Sequence, residues 1–133
     1  MENEKIKRAT KEALIARAQA NRDKKKEYKE YYCKAIDANL LIKKLSITRV
    51  CEIMDMADDS TLAGDLELSK QLIYESVPLL QDKEIQDAYG CAEPYDIVLA
   101  VMDDDIGELQ RVSQTILSIY GLDELDLETE IKN

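Results

Sequence analysis

The sequence contains no histidine, no tryptophan and no phenylalanine, and only two prolines and four glycines. Without histidine it lacks the commonest general base, the commonest zinc ligand and the usual partner of a serine or cysteine nucleophile. That argues against an enzyme, although carboxylate or lysine chemistry remains open. Without Phe and Trp the core must be built from Leu, Ile and Val, and seven tyrosines supply all the aromatic surface. Scarce Gly and Pro, with 35% charged residues, favour helices over a turn-rich sandwich or barrel. The longest unbroken apolar run is Ile97-Val98-Leu99-Ala100-Val101-Met102. A membrane-spanning helix needs about 20 such residues. The basic N-terminus is not followed by an apolar stretch of signal-peptide length, so a cytoplasmic protein is expected. Cys33, Cys51 and Cys91 are odd in number and form no CxxC, which reads as reduced thiols, mostly buried.

What is present is charge, unevenly placed. The 133 residues carry a net charge of −10. Residues 1–49 hold 14 basic and 7 acidic side chains, a local +7, whereas residues 50–133 hold 4 basic and 21 acidic, a local −17. The length fits one domain with an arm. The expected division is a basic helical arm over 1–26 and a domain over 27–133, with a hairpin at about 28–45 and a helical body at about 46–133.

Residues 3–26 read as an Ala-rich helix with little apolar bulk beyond Ile6, Leu14 and Ile15, so it is held weakly. Residues 28–45 are rich in strand formers, with Asp37-Ala38-Asn39 between two runs, and predict strands at 28–36 and 40–45. The competing reading is a single long helix, because neither Gly nor Pro interrupts residues 1–63. Ser46 or Thr48 then caps a helix through Met56. Asp58 to Gly64 reads as a loop, and a helix follows from Leu66 to Val77, disturbed by Pro78. Asp82 opens the next helix and Gly90 closes it. Glu93-Pro94 starts another, in which 97–102 is apolar all round. Asp105 and Glu108 have capping-box spacing at the head of a last helix closed by Gly121. The fold class expected is mainly α: a compact bundle of five or six helices with a small β-hairpin near the N-terminal third.

Few groups offer chemistry. Asp103-Asp104-Asp105 has metal-binding side chains, but Gly107 and Gln114 stand where a calcium loop needs ligands, so a helix cap is the simpler reading. Lys24-Lys25-Lys26 beside Tyr28, Tyr31 and Tyr32 resembles a nucleic-acid surface, yet the acidic body repels a polyanion. The single, scattered glycines form no phosphate loop. No catalytic, cofactor-binding or metal-binding residues are assigned. The residues alone indicate a helical interaction protein.

From about residue 40 onward the sequence resembles a known family. Leu72-Ile73-Tyr74-Glu75-Ser76-Val77 leads to Pro78, followed by Leu80-Gln81-Asp82-Lys83-Glu84-Ile85-Gln86-Asp87-Ala88-Tyr89-Gly90. An apolar helix ending in Met102 follows, then an acidic loop, then an apolar helix closed by Ile119-Tyr120-Gly121. The chain finishes with an acidic stretch and Lys132-Asn133. In order and spacing this is similar to the phage tail assembly chaperones, specifically the XkdN-like group of Gram-positive phages and prophage-derived (PBSX-type) elements. The basic, Ala-rich front departs from that pattern. The resemblance implies a non-enzymatic chaperone without cofactor. Its implied partners are the tape measure protein, which it keeps soluble, and tail tube subunits, which it recruits. It also implies residence in the host cytoplasm, absence from the mature particle, and in some systems a frameshifted longer form. Leu109, Leu125 and Leu127 are candidate client-binding residues, although helical spacing also allows Leu109 an inward position. Two readings from other classes stand beside this one: an acidic DNA mimic that inhibits a basic host protein, motivated by the −17 body, and a carboxylate-based metal enzyme.

Overall fold

The structure is a computed structural model and describes residues 8–23, 28–56 and 61–122. It is mainly helical. Helix α1 (Lys11–Asp23) is followed by strands β1 (Tyr28–Cys33) and β2 (Ala38–Lys43). Helices α2 (Ile47–Met56), α3 (Leu62–Ser76), α4 (Lys83–Ala88), α5 (Asp96–Val101) and α6 (Ile106–Ser118) complete it, with a 3-10 turn at Pro78–Gln81 between α3 and α4.

The hairpin excludes the single long helix. Its strands are antiparallel, with Tyr31 opposite Leu40 and Cys33 opposite Ala38. β1 is shorter than expected and β2 begins two residues earlier at unchanged length, because the turn falls at 34–37 rather than 37–39. Asp37 takes a left-handed conformation (φ 51°) to close the turn, which Asp tolerates better than most residues. Asn39 is thereby released into β2, where its amide donates to Glu30 Oε1 at 2.7 Å. Side chains alternate across the strand. Cys33, Leu40 and Ile42 are buried beneath the hairpin, while Tyr32 and Leu41 face outward.

Helix ends follow their capping chemistry. Thr10, Ser46 and Thr61 each accept a hydrogen bond from the backbone N–H three residues on, at 3.1, 3.1 and 2.9 Å. Thr61 starts α3 four residues earlier than expected, which places Gly64 inside the first turn rather than in a loop. Val77 is extended (φ −118°, ψ 92°), as a residue before proline prefers. Pro78 then opens the 3-10 turn at the one point where its missing N–H costs nothing. Asp82 caps α4 as expected, accepting from Ile85 N–H at 3.1 Å. Helix α5 begins two residues later than the Pro94 start, because the first bonds there run from residue i+3 back to i, from Asp96 N–H to Glu93 O at 3.0 Å and from Ile97 N–H to Pro94 O at 3.2 Å. Asp103 and Asp104 are both left-handed (φ 56° and 59°), and they redirect the chain so that Asp105 caps α6.

Helix α3 is the centre of the body, packed against α2, α5, α6 and the 3-10 turn, while the hairpin packs on α6 and that turn. The core is aliphatic, as the composition requires: Leu72, Ile73, Ile97, Val98, Val112 and Ile116 are among its fully buried members. Of the three thiols only Cys33 is buried; Cys51 is exposed, because it lies on the outer side of α2. Helix α1 contributes nothing to the core. Every side chain described from Lys11 to Arg22 is exposed.

Candidate functional site

Two apolar grooves stand out among the described residues of the body. The first lies where β2 meets the 3-10 turn. Leu40, Leu41 and Ile42 are consecutive, and strand alternation sends the middle one outward, leaving Leu41 49% exposed. The 3-10 turn does the same to its own pair, burying Leu80 and leaving Leu79 57% exposed. With Pro78 these form the apolar floor of a groove of about 560 Å³, whose polar rim is Asn39, Gln81 and Asp82. Gln81 is held in place by its side-chain amide, which donates to Tyr74 O at 3.0 Å.

The second groove follows the seam between α3 and α6. At one end Leu62 and Leu66 face Ile106 and Leu109 around a hollow of about 130 Å³. Further along, Met54 and Leu68 face Gln114 and Leu117 around a hollow of about 360 Å³. Asp65, Ser69 and Gln110 belong to both. Leu62 is 80% exposed and Ile106 43%. The Ser113 hydroxyl lies at the bottom, buried and without a hydrogen-bond partner among the described residues.

A polar clasp fastens the hairpin to α6. The Tyr31 hydroxyl donates to Glu108 Oε2 at 2.7 Å, and Arg111 donates to Glu108 Oε1 at 2.9 Å. Glu108 is 1% exposed. Its burial pushes the carboxyl up, but the bonds from Tyr31 and Arg111 more than offset this and hold it below the usual carboxylate value. Burial and the bond to Glu108 push the Tyr31 hydroxyl up. The capping box therefore closes on one side only. Asp105 accepts from Glu108 N–H at 3.2 Å, while the Glu108 side chain serves the clasp instead. A second polar tie joins α2 to α3, where Arg49 grips Glu75 with two bonds of 2.8 and 2.6 Å. That grip holds the Glu75 carboxyl below its ordinary value. In each, a carboxylate is bonded to an arginine and the bonds join two elements, so both are read as structural ties.

Leu109 is 1% exposed and packs in the core, so it offers a client no surface beyond the floor of the second groove. Its spacing on α6 already allowed that position. Leu125 and Leu127 lie outside the described residues, as do Lys24 to Lys26. The tyrosines expected beside that lysine run do not share a face. Tyr31 turns inward to Glu108, whereas Tyr32 turns outward and donates to Asp37. Asp103 and Asp104 serve the turn and Asp105 the cap. Leu41 and Leu79 were not anticipated as surface residues, although three successive apolar residues in a one-sided strand require one of them to face out.

No family model and no curated protein matches the chain. Among solved structures, its fold is similar to that of the protein YqbN, with a TM-score of 0.56 and 16% identity, over 74% of this chain and 87% of that one. At that identity the likeness is one of fold alone. No helix among the described residues is long and apolar enough to cross a membrane.

Proposed function

We propose that this chain is a non-enzymatic tail assembly chaperone of a phage or prophage element, binding the tape measure protein and recruiting tail tube subunits in the host cytoplasm. The observation that carries the reading is the ordered run from Leu72 to Gly121, which resembles the XkdN-like group. The fold is compatible with it. Pro78, Gln81 and Asp82, which belong to that run, line the first groove together with Leu41 and Leu79. An apolar floor with a polar rim suits an amphipathic client helix held well enough to stay soluble and released when tube subunits compete. The excess of acidic side chains keeps such a complex in solution.

The test is co-purification of the full chain with the product of the longest tail gene in its own gene neighbourhood, and separately with the tail tube protein. Retention of either, lost when Leu41→Asp and Leu79→Asp are combined, supports the proposal. Retention of neither overturns it, and salt-sensitive competition with DNA for a basic host protein would favour the mimic instead.

A further inference from the structure

Helix α1 and the α3–α6 groove are complementary halves of a contact that neither makes within the described chain. At 100° per residue, helical spacing gathers Lys11, Leu14, Ile15, Ala18 and Arg22 on one face of α1, with Arg17 and Glu12 beyond its two sides. This face has an apolar centre and basic margins. Leu14 and Ile15 are 62% and 48% exposed, so their apolar surface is left in water. The groove is the reverse, with Leu62, Leu66 and Ile106 at its centre and carboxylates around it. Asp65 lines it, and the exposed Asp103, Asp104 and Asp105 stand at the head of α6, directly before Ile106. Among the described residues lining the two hollows, the one charged side chain, Asp65, is acidic.

With α1 laid parallel to α6, Leu14 meets Leu62 and Ile106, and Lys11, one helical turn earlier, comes beside the aspartates that precede Ile106.

We infer that the occupant of the α3–α6 groove is helix α1 of a second copy of this chain. Two such copies exchanging their arms close as a two-fold dimer, in which both grooves are filled and both basic faces are neutralised. The inference is independent of the chaperone reading, because it draws only on this chain's own residues and leaves the Leu41–Leu79 groove open.

The experiment is sedimentation velocity of the full chain, from low to high micromolar, at low and high salt. The expected result is a monomer–dimer equilibrium that weakens as salt rises. Two surface variants separate the halves: Leu14→Asp with Ile15→Asp on the arm, and Leu62→Asp with Ile106→Asp on the groove. All four side chains are exposed, so thermal melting of each variant checks that the body is intact. Each variant alone is expected to dimerise at least about tenfold more weakly, the scale of exposing one or two aliphatic side chains again. Mixing the two restores a heterodimer, since one supplies the intact groove and the other the intact arm. A wild-type monomer throughout, in which α1 folds onto its own body or stays free, overturns the inference. So does a dimer that survives both variants, or a mixture that fails to pair.

Discussion

Replacing Tyr31 by Phe removes one oxygen atom and tests how the hairpin is held to the body. The hydroxyl donates to Glu108 Oε2 at 2.7 Å, and Glu108 is 1% exposed, so water cannot take its place without opening the seam between β1 and α6. Arg111 serves the other oxygen and stays where it is. A hydrogen bond to a charged acceptor contributes about 1.5–3 kcal/mol. The loss should fall in that range, because the ring remains to fill its place while the carboxylate loses a donor. At about 2.1 cal/mol/K of unfolding entropy per residue, a loss of about 2 kcal/mol lowers Tm by roughly 7 °C in a chain of this size. Urea denaturation followed by far-UV circular dichroism measures it directly. Combining Tyr31→Phe with Glu108→Leu removes the stranded acceptor, and Arg111, 55% exposed in its side chain, is then free to be hydrated. The double variant should therefore be destabilised by less than the sum of the singles, with a coupling of about 1 kcal/mol or more. A Tyr31→Phe Tm within about 2 °C of wild type, or strict additivity in the cycle, would refute the claim that this buried pair fastens the hairpin.

Three further outcomes follow from the same packing. Leu109→Ala should cost about 2–5 kcal/mol in urea denaturation, as a fully buried leucine does; a loss under about 0.5 kcal/mol would instead mark Leu109 as a surface residue. Gly121→Ala should cost about 1–2 kcal/mol from backbone strain alone, since φ is +75° and a Cβ there meets nothing within 4 Å. A neutral effect would mean that the turn adjusts freely. The Glu75 and Glu108 carboxyls are both held below the ordinary glutamate value in the folded state, Glu75 by its bonds from Arg49 and Glu108 by those from Tyr31 and Arg111. Their contribution is fully present above about pH 4.5 and is lost as the pH falls through the lower folded values. Denaturation midpoints should drop from pH 6 to pH 3, and Glu108→Gln should make that drop shallower; an unchanged slope in the variant would contradict it.

Much of the fold was legible because its signals are local. The Ser46, Asp82 and Asp105 caps, the glycines at 90 and 121, and the apolar spacing of α6 act within a few residues of where they stand, so the sequence places them closely. Local signals also failed locally. Gly64 reads as a loop until Thr61 is seen to cap a helix that includes it, and Asn39 reads as a turn residue until Asp37, just before β2, takes the left-handed position. The pairing of Asp105 with Glu108 illustrates the limit. The spacing describes a reciprocal cap, but the Glu108 side chain is claimed by Tyr31, 77 residues earlier in the chain.

By itself the sequence determined that this is a helical protein with an aliphatic core, a basic front and an acidic body, because composition, period and charge are properties of the chain. It also carries the ordered run from Leu72 to Gly121 on which the chaperone proposal rests. The tertiary structure decided which apolar residues reach the surface. Leu109 went inward, while Leu41, Leu79, Leu62 and Ile106 stayed outside, since exposure depends on which face of each element meets a neighbour. It also decided that α1 buries nothing on the body that follows it. The charge division of the sequence thereby becomes a basic, half-apolar helix face and an acidic-rimmed groove, neither of which is filled by the described residues.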